Sequence, residues 1–302
     1  MRLNIDELSA ESGKRVTSNF EQRRKRLAIV TGGTRGIGRA ISERLAADGF
    51  DLLLNYCADV KSSQATTQSL QDKYDCDVVC VSGDISQTKT RDKLFTEYDK
   101  HLKATHDLSA IVHNAGQYVG ITSQNGLGLK HEKIMAFGDG SILTEDGNVD
   151  LTQMHYYQKL YGDAYIDLCE RGLARMKYSG GSLVGISSGG CTLHYRPSPG
   201  YDMPGTGKCT MEYAMRLFAL RAGMRNVNCN VIIPGVTSTD AWENLSKIGG
   251  DKKMKQKLEK LSPMGGTCPL DIGKVVAFLC SSDGRPITGM SIPVDNGIHL
   301  KL

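Results

Sequence analysis

The sequence lacks the features that mark several classes of protein. None of its 302 residues fall in an apolar run near the ~18 residues that a membrane-spanning helix needs. The segment 1–30 has no apolar stretch ahead of a small-residue cleavage site, so it does not resemble a secretory signal. A formal net charge of +4 is too small to indicate nucleic-acid binding. We therefore expect a globular protein of the cytoplasm.

Metal-binding cysteine patterns are also missing. The chain has nine cysteines but no Cys-x-x-Cys pair and no histidine at zinc-finger spacing. Several cysteines, such as Cys80 and Cys280, lie inside apolar runs, where cysteine acts as a small hydrophobic residue. We expect no metal site and free thiols in a reducing compartment.

Short apolar runs alternate with helical stretches from residue 27 onward. The length and β-branched content of the runs are typical of strands buried on both faces of a parallel sheet. This alternation predicts an α/β fold with a doubly wound parallel sheet of Rossmann type, formed by one domain over 27–302. The runs are 27–30, 51–56, 77–83, 108–114, 181–187, 227–235 and 290–295.

Three segments interrupt this pattern. Residues 1–26 form a polar extension with a basic end, which is either a solvated arm or a partner-binding tail. Residues 120–150 are a Gly-rich insertion, and a loop of that length is usually functional or mobile. Residues 240–262 predict short amphipathic helices that form a small lid. The lid has six lysines, either a solvated face or a surface that attracts an acidic partner: Lys247, Lys252, Lys253, Lys255, Lys257 and Lys260.

A glycine-rich loop follows the first predicted strand and precedes a helix. Its sequence, residues 31–38, is TGGTRGIG. Glycines allow the main chain to approach a pyrophosphate, and a helix N-terminus supplies N–H groups and the positive end of its dipole. In this context the loop predicts a dinucleotide site.

Together with later motifs, this loop makes residues 27–302 resemble the short-chain dehydrogenase/reductase family. Asp84-Ile85 follows the third strand, His113-Asn114-Ala115-Gly116 is similar to the family's NNAG, and Ser187-Ser188 ends the fifth strand. Residues 234–239, PGVTST, resemble the loop that holds the nicotinamide carboxamide in the family. The resemblance implies cofactor contacts from Gly32, Thr34, Arg35, Gly36, Ile37, Gly38, Asn55, Asp84, Ile85, Asn114, Ala115, Gly116, Lys208, Pro234, Gly235, Thr237 and Thr239.

The end of the second strand favours NADP(H) over NAD(H). A carboxylate at this place would bind the ribose 2′-hydroxyl, but the strand ends in Leu54-Asn55-Tyr56. Arg35 in the glycine loop is suited to charge-assisted hydrogen bonds with a 2′-phosphate. The predicted cofactor is therefore NADP(H).

The reacting end departs from the family's Tyr-x-x-x-Lys motif. The family helix aligns Lys208 with the lysine, and Pro204 then stands where the tyrosine is expected. Tyr201 precedes Lys208 at Tyr-x6-Lys spacing, which resembles the enoyl-acyl-carrier-protein reductases of the same superfamily. Tyr195 is a second candidate donor. Tyr161 stands where the family has the asparagine of its proton relay.

The resemblance assigns catalytic roles to three residues. The Tyr201 hydroxyl would stabilise an enolate oxygen, Lys208 would hold the nicotinamide ribose and lower the tyrosine pKa, and Ser188 would orient the substrate. The leading hypothesis is an NADPH-dependent reductase of the C=C bond of an enoyl thioester, in fatty-acid or related synthesis, with acyl carrier protein as a possible partner. The alternatives are a carbonyl or alcohol oxidoreductase of secondary metabolism and a non-catalytic NADP-binding sensor. Family members usually form homodimers or homotetramers, which the resemblance implies here.

Overall fold

A seven-stranded parallel sheet organises the chain. The computed structural model describes residues 24–117, 141–177, 180–189, 191, 195, 202–239 and 254–301. The strand order is β3-β2-β1-β4-β5-β6-β7, with every adjacent pair parallel. The predicted Rossmann-type sheet is confirmed. Its strands are β1 Lys25–Thr31, β2 Phe50–Tyr56, β3 Val78–Ser82, β4 His106–His113, β5 Gly181–Ile186, β6 Val227–Pro234 and β7 Ser291–Val294.

Helices cover both faces of this sheet. Side chains alternate along β1, so that Leu27 and Ile29 enter one buried cluster while Ala28 and Val30 enter the other. Burial on both faces explains why the strands appear in the sequence as continuous apolar runs. The helices are α1 Gly36–Ala47, α2 Val60–Tyr74, α3 Thr88–Glu97, α4 Thr152–Tyr157, α5 Ala164–Leu173, α6 Asp202–Gly223, α7 Met254–Leu261 and α8 Pro269–Leu279.

A π-helical turn joins α4 to α5. The turn, Gln158–Asp163, continues directly into Ala164–Leu173 and includes Tyr161, which is 3% exposed. Helix α6 crosses this region closely, because a Cβ on Gly207 would lie 2.5 Å from the Tyr157 carbonyl oxygen. The glycine thus allows the next residue, Lys208, to approach the π-helical turn.

The end of the basic cluster belongs to the fold. Strand β1 begins at Lys25, and the Arg24 guanidinium donates to the Asp107 carboxylate over 2.6 Å. The rest of the predicted extension lies outside the described residues. Of the predicted insertion, 141–150 is described and forms a turn in which Leu143 and Val149 pair in antiparallel fashion. Of the predicted lid, helix α7 and Ser262 are described.

Among the described residues, no helix combines the length and the apolar character that crossing a bilayer requires.

Candidate active site

The dinucleotide end of the site lies where the strand order reverses between β1 and β4. Connections from these two strands run to opposite sides of the sheet, which leaves a crevice at their carboxyl ends. Gly32 and Gly36 have φ values of +63° and +52°, which glycine adopts without strain. A Cβ on Gly38 would lie 1.9 Å from the Gly32 carbonyl oxygen, so only glycine allows the loop to close on the start of α1.

Two other predicted loops flank the glycine loop. A Cβ built on Gly32 would lie 2.9 Å from the Cα of Ala115, and one on Gly36 would lie 3.7 Å from Cγ2 of Thr239. The loops after β1, β4 and β6 therefore meet at one edge of the sheet. Main-chain approach without intervening side chains is what a pyrophosphate and the adjoining ribose need, so this part of the site fits a dinucleotide.

His113 fixes the distance between the first two of these loops. Its Nδ1 lies 2.9 Å from the Thr31 hydroxyl and its Nε2 lies 3.0 Å from the Leu160 carbonyl oxygen. Because a carbonyl only accepts, Nε2 carries the proton and Nδ1 accepts from Thr31. Thr31 Oγ1 also accepts from the main-chain N–H groups of Asn114 and Ala115, each at 3.0 Å. Burial lowers the pKa of His113 to about 3, so the ring is neutral.

The end of β2 carries the residues that bear on cofactor choice. The side-chain amide of Asn55 donates to the main-chain oxygens of Val81 and Gly83 at 3.2 and 3.0 Å and so joins the ends of β2 and β3. Arg35 is exposed, and its charge acts on Cys57 and on Asp59, whose carboxylate caps α2 at Ser62. An exposed guanidinium therefore stands beside the end of a strand that offers no carboxylate of its own.

After the third strand, Asp84 and Ile85 hold their own loop in place. Asp84 accepts from the Ser86 main-chain N–H at 2.9 Å, and Ile85 packs into the core. Gly116 lies next to the Tyr161 hydroxyl, which would be 3.3 Å from a Cβ at that position.

Lys208 lies at the carboxyl end of β5. Its side chain is buried, and its ammonium donates to the Ile186 carbonyl oxygen at 2.5 Å. The same nitrogen lies 3.9 Å from the centre of the Tyr161 ring, a cation–π contact. Burial lowers the pKa of Lys208 to about 8, against the attraction of Cys191 and Glu212.

A buried carboxylate lies one helical turn beyond Lys208. Glu212 accepts from the Ser187 hydroxyl at 2.5 Å and from the Ser291 hydroxyl at 2.9 Å. Burial raises its pKa, whereas the two hydroxyls and Lys208 oppose that shift. Sequence reasoning missed Glu212, although its spacing of four residues from Lys208 places both on one helix face.

Of the two tyrosines predicted as candidate proton donors, the structure describes only one. Tyr201, the predicted donor, lies outside the described residues. The Tyr195 hydroxyl donates to the Asp295 carboxylate at 2.5 Å, and burial together with that carboxylate raises its pKa. Pro204 is in the first turn of α6, where proline is tolerated, so no side-chain hydroxyl occupies the Tyr-x-x-x-Lys position.

The loop at residues 234–239, predicted to bind the nicotinamide carboxamide, is held by its own polar contacts. Thr237 Oγ1 donates to the Gly235 carbonyl oxygen at 2.8 Å, and Thr237 pairs with Thr267 in an isolated bridge. A Cβ on Gly235 would lie 2.6 Å from the Cα of Asp295, so the loop after Pro234 packs directly on the end of β7.

Comparisons with known proteins agree with this geometry. A family model described as enoyl-(acyl carrier protein) reductase matches residues 146–299, and a KR domain model matches 27–123. Hydroxynaphthalene reductase-like protein Arp2 of Metarhizium brunneum is 26% identical over 283 residues, covering 90% of this chain and 94% of that protein. A short-chain dehydrogenase/reductase of Pestalotiopsis microspora is 24% identical, with 90% and 94% covered.

Solved structures are similar over nearly the whole chain. The angucycline C-6 ketoreductase LanV with bound NADP is 25% identical, with a TM-score of 0.71 and 91% and 96% of the two chains covered. A blue fluorescent protein from a metagenomic library, in complex with NADPH, is also 25% identical, with a TM-score of 0.72 and 90% and 97% covered. Both hold the form of cofactor predicted from Arg35 and Asn55. The parallel sheet, the glycine loop and the matched models together show that the chain belongs to the short-chain dehydrogenase/reductase family.

Proposed function

We propose that the protein is an NADP(H)-dependent reductase of a small carbonyl compound. The observation that carries this proposal is the buried Lys208 ammonium, which lies at the same edge of the sheet as the glycine loop and the end of β5 at Ser187-Ser188. A buried cation at this place is suited to bind a ribose and to stabilise negative charge that develops nearby.

The cofactor would be held by the loops after three strands, β1, β4 and β6, and by Lys208 of α6. The glycine loop would bind the pyrophosphate, and Arg35 the 2′-phosphate. Residues 114–116 and 234–239 would flank the nicotinamide half, with Lys208 on its ribose. The bound cofactor supplies the hydride. NADP(H) is favoured because Arg35 offers a guanidinium where β2 offers no carboxylate.

The chain's own groups supply the polar chemistry. Ser188 would donate a hydrogen bond to the carbonyl oxygen of the substrate. The Tyr201 hydroxyl would give a proton to the oxygen that becomes negative, and Lys208 would lower the pKa of that phenol. Tyr195 is unsuited to this role because the Asp295 carboxylate raises its pKa.

Similarity to ketone-reducing proteins supports a carbonyl substrate. LanV is described as a ketoreductase and Arp2 as hydroxynaphthalene reductase-like, and each matches about nine-tenths of this chain. One name refers to a ketone of an angucycline and the other to a hydroxynaphthalene, a fused-ring aromatic compound. An aromatic ketone of that chemical class is therefore the first substrate to test.

An enoyl thioester is the second candidate, favoured by Pro204. With no hydroxyl at the usual position, Tyr201 stands further along the chain from Lys208. That spacing suits an oxyanion two carbons from the carbon that receives the hydride. A matching partner would be acyl carrier protein, attracted by the lysines of the lid.

NADPH absorbance distinguishes these candidates. The wild type, Tyr201→Phe and Tyr195→Phe would be assayed side by side with an aromatic ketone, an acetoacetyl thioester and a crotonyl thioester. We expect turnover of a ketone that falls at least about a hundredfold in Tyr201→Phe and little in Tyr195→Phe. Oxidation of NADPH by the crotonyl thioester alone would replace the carbonyl reaction with the enoyl reaction. Tight NADPH binding without any turnover would indicate the non-catalytic sensor.

We also propose that the chain forms a homodimer or homotetramer through α6. Four exposed apolar residues are spaced i, i+4, i+7 and i+11; the first three lie on one face of α6, and the fourth directly follows the end of that helix. They are Tyr213, Leu217, Leu220 and Met224, of which Met224 is 90% exposed. The nine free thiols support placement in a reducing compartment such as the cytoplasm.

A further inference from the structure

Two cysteines meet beside Lys208. Cys191 lies in the loop after β5, three residues beyond Ser188, and Cys209 follows Lys208 directly in α6. The Cys209 thiol donates to the Cys191 carbonyl oxygen at 2.8 Å, and the two side chains are close enough for each to shift the pKa of the other. Since residues distant in sequence are brought into direct contact here, the pair is a product of the fold.

The two thiols are in different electrostatic environments. The hydrogen bond from Cys209 lowers the pKa of Cys191 to about 7, and Ser187 and the charge of Lys208 act in the same direction against burial. The pKa of Cys209 is raised, chiefly by the same contact with Cys191. Cys191 is therefore the better nucleophile, and Cys209, at the exposed side, is placed to attack it in turn.

The other buried cysteines have the opposite character. Burial raises the pKa of Cys169, Cys229 and Cys280. Thiols in such surroundings remain protonated and unreactive. Among the described cysteines with a resolved shift, Cys191 alone has a lowered pKa, and it lies beside the proposed reaction site.

We propose that Cys191 and Cys209 form a reversible disulfide on exposure to a hydroperoxide, and that this bond weakens cofactor binding at Lys208. In the first step the Cys191 thiolate attacks the peroxide, the O–O bond breaks, and an alcohol or water leaves after taking a proton. The sulfur is then a sulfenic acid. In the second step the Cys209 sulfur attacks Cys191, the S–O bond breaks and water leaves. The two thiols together give two electrons to the peroxide, and a small dithiol returns them by exchange.

Oxidation changes the surroundings of Lys208 in two ways. It removes the thiolate whose charge favours the ammonium form of Lys208. It also draws Cys191 toward α6. In the thiol form, Cys191 donates to the Ser188 carbonyl oxygen at 2.8 Å and lies 3.5 Å from Ser187 Oγ, and the disulfide would break the first of these contacts. Loss of turnover and weaker NADPH binding both rest on the role proposed above for Lys208, whereas formation of the disulfide does not.

The test uses the full chain treated with hydrogen peroxide, which is then removed with catalase. Free thiols are alkylated, and cross-linked peptides are identified by mass spectrometry. NADPH binding is measured by fluorescence before and after treatment. The variants are Cys209→Ser, Cys191→Ser and, as a control with an exposed thiol at the N-cap of α8, Cys268→Ser.

We expect a Cys191–Cys209 cross-link in the wild type and in Cys268→Ser. Its formation should weaken NADPH binding at least about tenfold, reversibly with dithiothreitol, as displacement of a binding group would do. In Cys209→Ser, Cys191 should instead become trappable by a sulfenic-acid reagent. If Cys191 and Cys209 remained free thiols after other cysteines had been oxidised, the proposed site would be wrong. A cross-link with unchanged NADPH binding would overturn the switch.

Discussion

The two edges of the sheet use the same residue types in opposite ways. At the amino edge, the Lys25 ammonium lies 2.7 Å from the Asp77 carboxylate and 3.2 Å from the Asp51 carboxylate. The hydrogen bond to Asp77 raises the pKa of Lys25, which remains in contact with solvent. At the carboxyl edge, Lys208 is buried, donates to a main-chain carbonyl, and has a pKa lowered to about 8.

The two histidines of β4 show the same contrast. His106, at the start of the strand, places Nε2 2.8 Å from the Asp51 carboxylate. His113, at its end, is held neutral between Thr31 and the Leu160 carbonyl oxygen. At the amino edge the Asp51 carboxylate has both Lys25 and His106 as partners, as expected where a network serves stability. At the carboxyl edge charge is left available for a ligand, at a cost to folding.

The charged cluster at the amino edge also resembles a metal-binding site. Asp51, Asp77 and His106 place ligand atoms within 4.8 Å of one another, a spacing that a metal ion could bridge. The Lys25 ammonium contacts both carboxylates, and its positive charge opposes a metal cation at the same place. We therefore assign the cluster to stability.

The largest difference in turnover is expected between variants that remove the charge of Lys208 and of Lys25. Lys208→Met should reduce NADPH-dependent turnover by about a hundredfold or more, because the ribose contact and the charge near the donor are both lost. Its melting temperature should not fall, since the variant no longer buries an ammonium. Lys25→Met should retain turnover and lose about 1 kcal/mol of stability or less. Steady-state kinetics and thermal unfolding measure both, and equal loss of turnover in the two variants would contradict the contrast.

The glycine loop provides the next comparison. Gly38→Ala should abolish NADPH binding and destabilise the fold by about 3 kcal/mol, because its Cβ would lie 1.9 Å from the Gly32 carbonyl oxygen. Gly223→Ala is the matched control at the end of α6, where a Cβ would have no described atom within 4 Å. That variant should gain about 0.5 kcal/mol. Fluorescence titration and urea unfolding test both, and retained NADPH binding in Gly38→Ala would disprove the tight closure.

A smaller effect is expected from the pH dependence of His113. Its pKa is about 3 in the folded chain and 6.5 as the reference value, so between these values the unfolded state binds the extra proton. Stability should therefore be complete above pH 6.5 and fall by about 2 kcal/mol by pH 5. In urea unfolding, the stability of His113→Asn should not show this decrease between pH 6.5 and pH 5, whereas the stability of His106→Asn should still show it. An unchanged pH slope in His113→Asn would contradict the assignment.

The local pattern of the sequence determined the sheet, the glycine loop and the position of Lys208. Buried parallel strands must be apolar on both faces, and a loop that approaches a phosphate must be rich in glycine, so both signals are written in neighbouring residues. The end of β2 likewise indicated the cofactor through Asn55 and Arg35. Tyr201 stays a prediction because it lies outside the described residues.

Tertiary structure alone decided what surrounds the reacting centre. The neutral tautomer of His113 depends on a carbonyl 47 residues away, and Lys208 lies over Tyr161 because Gly207 lets α6 approach a π-helical turn. Cys191 and Cys209 meet only when the loop after β5 folds onto that helix. Such contacts follow from how whole elements pack, and their electrostatic consequences depend on burial, which no local pattern of residues contains.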